Sequence, residues 1–98
     1  MYKLEFTKQA QKDVKIAARA GYENQVKEIL ETVQKDPFNS TQQFERLLGN
    51  LKGMCSRRID YHNRFVYSVL TNTDGLRNEK GVLYEGIVHV VSAWGHNY

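Results

Sequence analysis

One cysteine, one proline and one tryptophan in 98 residues leave little of what many functional classes require. Cys55 alone closes no internal disulfide, so no oxidising compartment is implied, and a single thiol cannot build a structural zinc site. Ahead of Ser56 in a strand-like stretch, it reads as a packing residue. The three histidines, His62, His89 and His96, have no His-x-x-x-His spacing, and neither a metal nor a cofactor is expected. No apolar run approaches the ~18 residues needed to cross a bilayer. The opening "MYKLEFTKQAQKD" lacks the apolar core of a secretory leader. A cytoplasmic protein with no membrane association is the expectation. The two glycines of "LLGNLKG" have neither phosphate-loop spacing nor a strand-to-helix setting, and read as turns.

Excess charge is scarce as well. Fourteen Lys and Arg against eleven Asp and Glu give +3 and a pI near 9.1, too mild a balance to argue for nucleic acid by itself. Its distribution says more. Between Arg46 and Arg64, the cations Arg46, Lys52, Arg57, Arg58 and Arg64 are offset only by Asp60, so this stretch alone carries +4.

What is present is a single domain over residues 1–98, 41% hydrophobic, with one modest core. "MYKLEF" alternates like a half-buried strand, with Tyr2, Leu4 and Phe6 on one face. Thr7 suits an N-cap for a helix that ends at Gly21. Val26, Ile29, Leu30 and Val33 form the apolar stripe of a second helix, which Pro37 stops. "CSRRI" is a short charged strand and "RFVYSVL" a clear one, with Phe65, Tyr67 and Val69 on one face and Arg64, Val66 and Ser68 on the other. "TNTDGLRNEKG" reads as an extended hairpin connection, and "VLYEGIVHVVSAW" as a last strand, central rather than at an edge. The order predicts an α+β fold, β-α-α-β-β-β, with an antiparallel sheet and both helices on one face. The opposite face is then open, and Arg64 belongs to it.

His89, flanked by valines in a strand, reads as a packed side chain, and His62, in "DYHN", as a solvated or capping residue. His96 in the terminal "WGHNY" and Glu45 in "QFERLL" gain interest from topology. Antiparallel neighbours bring Glu45, the Arg64 end of its strand and the tail to one side of the sheet.

The frame formed by "DPFNSTQQFERLLGNLKGMCSRRIDYHNRFVYSV" and "SAWGHNY" resembles the YoeB/Txe branch of the RelE-like bacterial toxins. The resemblance runs over essentially the whole chain. It implies the RelE-like fold and the toxin of a type II toxin–antitoxin pair, an endoribonuclease that cleaves messenger RNA on the ribosome. It implies a YefM/Axe-like antitoxin as partner, and allows a homodimer. The family's general base then falls on Glu45, its transition-state arginine on Arg64 and its general acid on His96. Arg58 falls at the substrate site, and the tyrosine that positions substrate falls on Tyr98. The charge run adds Arg57 and Lys52 as further expected substrate contacts. Asn97 separates His96 from Tyr98, so either Asn97 or Tyr98 takes the family's tyrosine position.

Those residue types suit metal-free RNA cleavage, in which the substrate's own 2′-hydroxyl attacks the phosphate. One group must take that proton, another must protonate the departing 5′-oxygen, and a cation must hold the crowded phosphorane. Arginine's planar fork can grip two phosphate oxygens at once. With an ordinary pKa of ~4.3 for glutamate and ~6.5 for histidine, physical chemistry alone does not decide which is base and which is acid. Two rival readings use the same cations without chemistry: a ParE-like inhibitor of DNA gyrase, and a ribosome-bound RNA-binding module. The antitoxin surface is expected to be acidic and partly helical, neutralising Arg57, Arg58 and Arg64.

Overall fold

The computed structural model describes residues 1–95. The chain runs β1 (Lys3–Phe6), α1 (Lys8–Arg19), α2 (Glu23–Lys35), β2 (Glu45–Arg46), a 3₁₀ turn (Gly49–Leu51), β3 (Met54–Arg58), β4 (Arg64–Leu70) and β5 (Ile87–Ser92). The Thr7 hydroxyl oxygen accepts the Ala10 N–H at 3.0 Å, capping α1, and the same hydroxyl donates to the Val91 carbonyl at 2.9 Å. One side chain thus starts the helix and ties it to β5. Gly21, at φ +92, turns the chain out of α1, and α2 stops before Pro37.

The five strands lie in the order β1-β5-β4-β3-β2. β4 spans the predicted residues and β5 is flanked on both sides. Two features differ from the expected antiparallel sheet of four strands. Glu45 and Arg46 form a short edge strand, and β1 pairs parallel with β5. The two are linked: β2, β3, β4 and β5 alternate in direction, and the additional strand changes the number of reversals between β1 and β5. The last strand starts at Ile87 rather than Val82. The connection before it is pinned by Asn72, whose amide donates to the Leu76 and Tyr84 carbonyls at 3.0 Å each.

Both helices cover one face. Ala10, Ala17, Val26, Ile29 and Val33 close over Phe65, Tyr67, Val88 and Val90, all buried. Strand alternation then puts Ser56, Arg58, Arg64, Val66 and Ser68 on the other face, as expected for Arg64. Among the described residues no helix is long and apolar enough to cross a membrane.

Candidate active site

The β3–β4 register sets Arg58 directly opposite Arg64, and Ser56 opposite Val66. Two like charges facing each other across a ladder destabilise it unless something answers them. Arg64 is answered within the protein. Its Nε and one terminal nitrogen donate to the Ser56 hydroxyl at 3.0 and 2.6 Å, and that same nitrogen donates to the Gln43 carbonyl at 3.0 Å. These bonds leave Arg64 only 7% exposed.

The Glu45 carboxylate stands 3.9 Å from the Arg64 guanidinium, with its side chain 59% exposed. Glu45 owes this position to β2, where it pairs with Ser56 on the open face. The chain reaches β2 through Gln42 and Gln43, consecutive non-glycine residues at φ +53 and +52. Each such residue costs ~1–2 kcal/mol, and the surroundings hold both in place. The Arg58 N–H donates to the Gln42 carbonyl at 2.8 Å, and Arg64 binds the Gln43 carbonyl. Backbone strain therefore sits beside the charged cluster, as is common where geometry serves function.

Arg58 is half-buried, its guanidinium 5.8 Å from the centre of the exposed Tyr61 ring. Its buried Nε has no hydrogen-bond partner among the described residues. A buried guanidinium nitrogen without an acceptor is expensive. The described chain ends at the same mouth: the Gly95 carbonyl accepts the Arg64 N–H, and the Gly95 N–H donates to the Asn63 side chain, both at 2.9 Å. His96 follows Gly95 in sequence; with Tyr98, it lies outside the described residues.

Two expected substrate contacts are placed elsewhere. Arg57 pairs with Phe65, so it faces the helices, and it is 0% exposed. Its nitrogens donate to the Tyr67 hydroxyl (3.0 Å) and to the carbonyls of Pro37 (3.1 Å), Asn39 (2.7 Å) and Thr41 (2.9 Å). Its group lies 4.9 Å from the Phe44 ring centre. The expectation that Arg57 touches substrate is therefore corrected: adjacent strand residues point to opposite faces, and only Arg58 of the pair reaches the open one. Arg57 is instead the buried clasp of the 37–42 segment leading to Glu45. Lys52 precedes β3, at the opposite end of that strand from Arg58, and lines a separate groove with Arg46 and Leu48.

Ser56, the acceptor of two Arg64 bonds, was not singled out from sequence. Its signal was available, since it lies two residues before Arg58 in a strand and so shares its face. Asp60 builds the β3–β4 turn, accepting from the His62 and Asn63 N–H groups and from the Asn63 amide. Burial, the largest single influence, raises its pKa, but these bonds with the Tyr22 hydroxyl outweigh it and hold the carboxyl below the usual aspartate value. On the helix side, burial pushes the Tyr67 hydroxyl up to about 12, against the lowering effect of Arg57. Burial likewise raises the Cys55 thiol despite Arg46 and Arg57, as suits an inert packing group. His62 is exposed and His89 half-buried on the open face.

A model of the YoeB-like toxin of bacterial type II toxin–antitoxin systems matches residues 5–76. The chain belongs to this family. Its fold is similar to the YoeB/ParE toxin from Agrobacterium tumefaciens, with TM-score 0.77 and 24% identity over 96% of this chain and 98% of that one. The YoeB dimer from Staphylococcus aureus gives 0.72 and 22%, with 97% of each chain covered. A chain of the heterotetrameric YoeB–YefM toxin–antitoxin complex from the same organism gives 0.72 and 23%, with 98% of each covered. No curated protein matches the chain. The structural likeness establishes a YoeB-like fold, and the family match places the chain among the YoeB-like toxins of type II toxin–antitoxin systems.

Proposed function

We propose that this YoeB-like toxin is a metal-independent endoribonuclease that cleaves messenger RNA on the ribosome and so stops translation. The observation that carries the reading is the open-face cluster. A carboxylate lies 3.9 Å from a guanidinium that is fixed by Ser56 and the Gln43 carbonyl, beside a second guanidinium with one nitrogen unanswered among the described residues.

In the proposed reaction Glu45 takes the proton of the 2′-hydroxyl, and the 2′-oxygen attacks phosphorus. The bond to the 5′-oxygen breaks, and His96 protonates that oxygen. The products are a 2′,3′-cyclic phosphate and a free 5′-hydroxyl. Arg64 holds the non-bridging oxygens as charge builds on them, and Arg58 binds the same or the adjacent phosphate. A preorganised donor of this kind is worth ~3–4 kcal/mol, and each acid or base ~10²–10⁴-fold. Arg64 suits its role because its side chain is held before substrate arrives. Tyr98 orients the nucleotide at the cut.

A few phosphate contacts give weak, salt-sensitive affinity for free RNA, so ribosome binding supplies the rest; Lys52, on another part of the surface, fits that second task. The partner proposed for the same face is a YefM/Axe-like antitoxin, whose acidic segment neutralises Arg58 and Arg64. The Staphylococcus aureus YoeB–YefM complex supports that pairing, and the YoeB dimer supports a homodimer. The site of action is the cytoplasm, where the ribosomes are.

Primer extension on ribosome-bound message tests the proposal. Wild-type protein is expected to create new message ends, and Glu45→Gln and His96→Gln to reduce them at least ~100-fold while keeping antitoxin affinity. Growth arrest that survives both substitutions, with message intact, would support a gyrase inhibitor or a binding-only module instead.

A further inference from the structure

A groove of about 480 Å³ opens beside the charged cluster, and no residue yet given a role in cleavage lines it. Its floor is Met54 and Val66 of the open face. Ser92, Trp94, and Gln9 and Asp13 of the first two turns of α1 also line it. Glu45, Ser56, Val66 and Ser92 fall in one cross-strand row, so the groove begins one strand beyond the serine that holds Arg64. At ~4.8 Å per strand, the row from Glu45 to Ser92 spans about 14 Å.

The groove combines a flat aromatic wall with an oriented acceptor. Trp94 is backed by Tyr22, ring centres 5.7 Å apart, which limits its freedom to turn. Asp13 is 4% exposed; one carboxylate oxygen accepts the Ala93 N–H at 3.1 Å, and the other accepts the Gln9 side-chain amide at 2.7 Å. In this bond Gln9 turns its NH₂ toward Asp13. Its carbonyl oxygen is then the acceptor offered to a ligand in the groove.

We infer that this groove is a nucleobase subsite, which stacks a base of the bound RNA on Trp94 and uses the Gln9 carbonyl to select bases with an amino group at purine C6 or pyrimidine C4, where guanine and uracil carry a carbonyl. Single-stranded RNA is recognised by splaying bases onto aromatic side chains and hydrogen-bonding their edges. The neighbouring arginines can hold the phosphate while the base occupies the groove. Adenine and cytosine offer the amino donor; uracil, with a carbonyl at that position, sets oxygen against oxygen. The inference rests on the proposed nuclease reading for its RNA, but its test does not depend on cleavage.

Trp94 is the only tryptophan of the chain, so its fluorescence reports on the groove directly. The full-length protein is titrated with adenosine, cytidine, uridine and purine-riboside 5′-monophosphates, the last being adenosine without its amino group. Saturable quenching by the adenosine and cytidine nucleotides, roughly tenfold tighter than by the other two, is expected. Gln9→Leu should bring the ratio between adenosine and purine riboside close to one. Absence of saturable quenching, or equal affinity for adenosine and purine riboside in the wild type, overturns the subsite. Selective quenching without message cleavage would keep the subsite and reject the nuclease; cleavage without selective quenching would do the reverse.

Discussion

Replacing Arg57 by methionine removes the clasp under the proposed reactive edge while leaving an apolar stem in place, and the consequences can be worked from the contacts. Arg57 holds the carbonyls of Pro37, Asn39 and Thr41. Pro37 keeps a donor in the variant, because the Tyr67 hydroxyl also donates to it. Asn39 and Thr41 lose theirs, at ~1–3 kcal/mol for each carbonyl left buried. Thr41 is exposed enough to recover water, whereas Asn39 is half-buried. Opposing this, Arg57 is buried with no carboxylate within ion-pair distance among the described residues, so its removal relieves a desolvated charge. The net loss is at most about 1–3 kcal/mol, smaller than the ~5–15 kcal/mol stability of a typical domain. The urea midpoint should therefore fall by no more than ~2 M with the fold retained. The larger effect is local. Hydrogen exchange in residues 37–45 should accelerate well beyond that of β4, and message cleavage should fall ~100-fold or more in protein that is still folded, since a small misplacement of a catalytic group is that costly. Unchanged exchange in 37–45 together with full cleavage would refute the clasp.

Three further outcomes follow from single contacts. Ser56→Ala removes the acceptor of two Arg64 bonds; cleavage should fall ~10-fold or more through kcat, with melting temperature shifted by only a few degrees. Gly86→Ala would put a methyl group 2.9 Å from both the Leu70 carbonyl of β4 and the Tyr2 ring; the Gly86 and Leu70 backbones must move apart, and thermal unfolding should show a loss of ~1–3 kcal/mol. Asp60 has a lowered pKa in the folded protein, so its contribution is complete above the ordinary aspartate value of ~3.9 and is lost as pH falls through the folded value. The stability gap between wild type and Asp60→Ala, measured by urea unfolding, should be full at pH 6 and shrink below pH ~4.

Much of this architecture could be read from the sequence because the informative patterns are local. The alternation of "RFVYSVL" sets both the limits of β4 and the side to which Arg64 points. Thr7 announces the start of α1, and the stripe of Val26, Ile29 and Val33 announces the buried side of α2. What was not legible depends on partners distant in sequence. Two residues, Glu45 and Arg46, have no period to detect and are a strand only because β3 lies alongside. Parallel and antiparallel strands share the same alternation, so the sense of β1 against β5 emerges only from the count of strands between them. The division of labour between Arg57 and Arg58 needs the β3–β4 register, which the five residues from Ile59 to Asn63 leave open and the Asp60 turn decides. At the candidate site, sequence and resemblance identified the residues on which the proposal rests, and the structure brings Glu45 and Arg64 together while moving Arg57 to the core.

The chemistry itself is tested most directly by one atom of the substrate. Ribosome-bound message carrying a single 2′-deoxy nucleotide on the 5′ side of the cut is compared with its all-ribose counterpart. Attack by the 2′-hydroxyl predicts that the ribose message is cut to a 2′,3′-cyclic phosphate and that the deoxy message survives at that position. Equal cutting of both messages would contradict the mechanism assigned to Glu45 and Arg64.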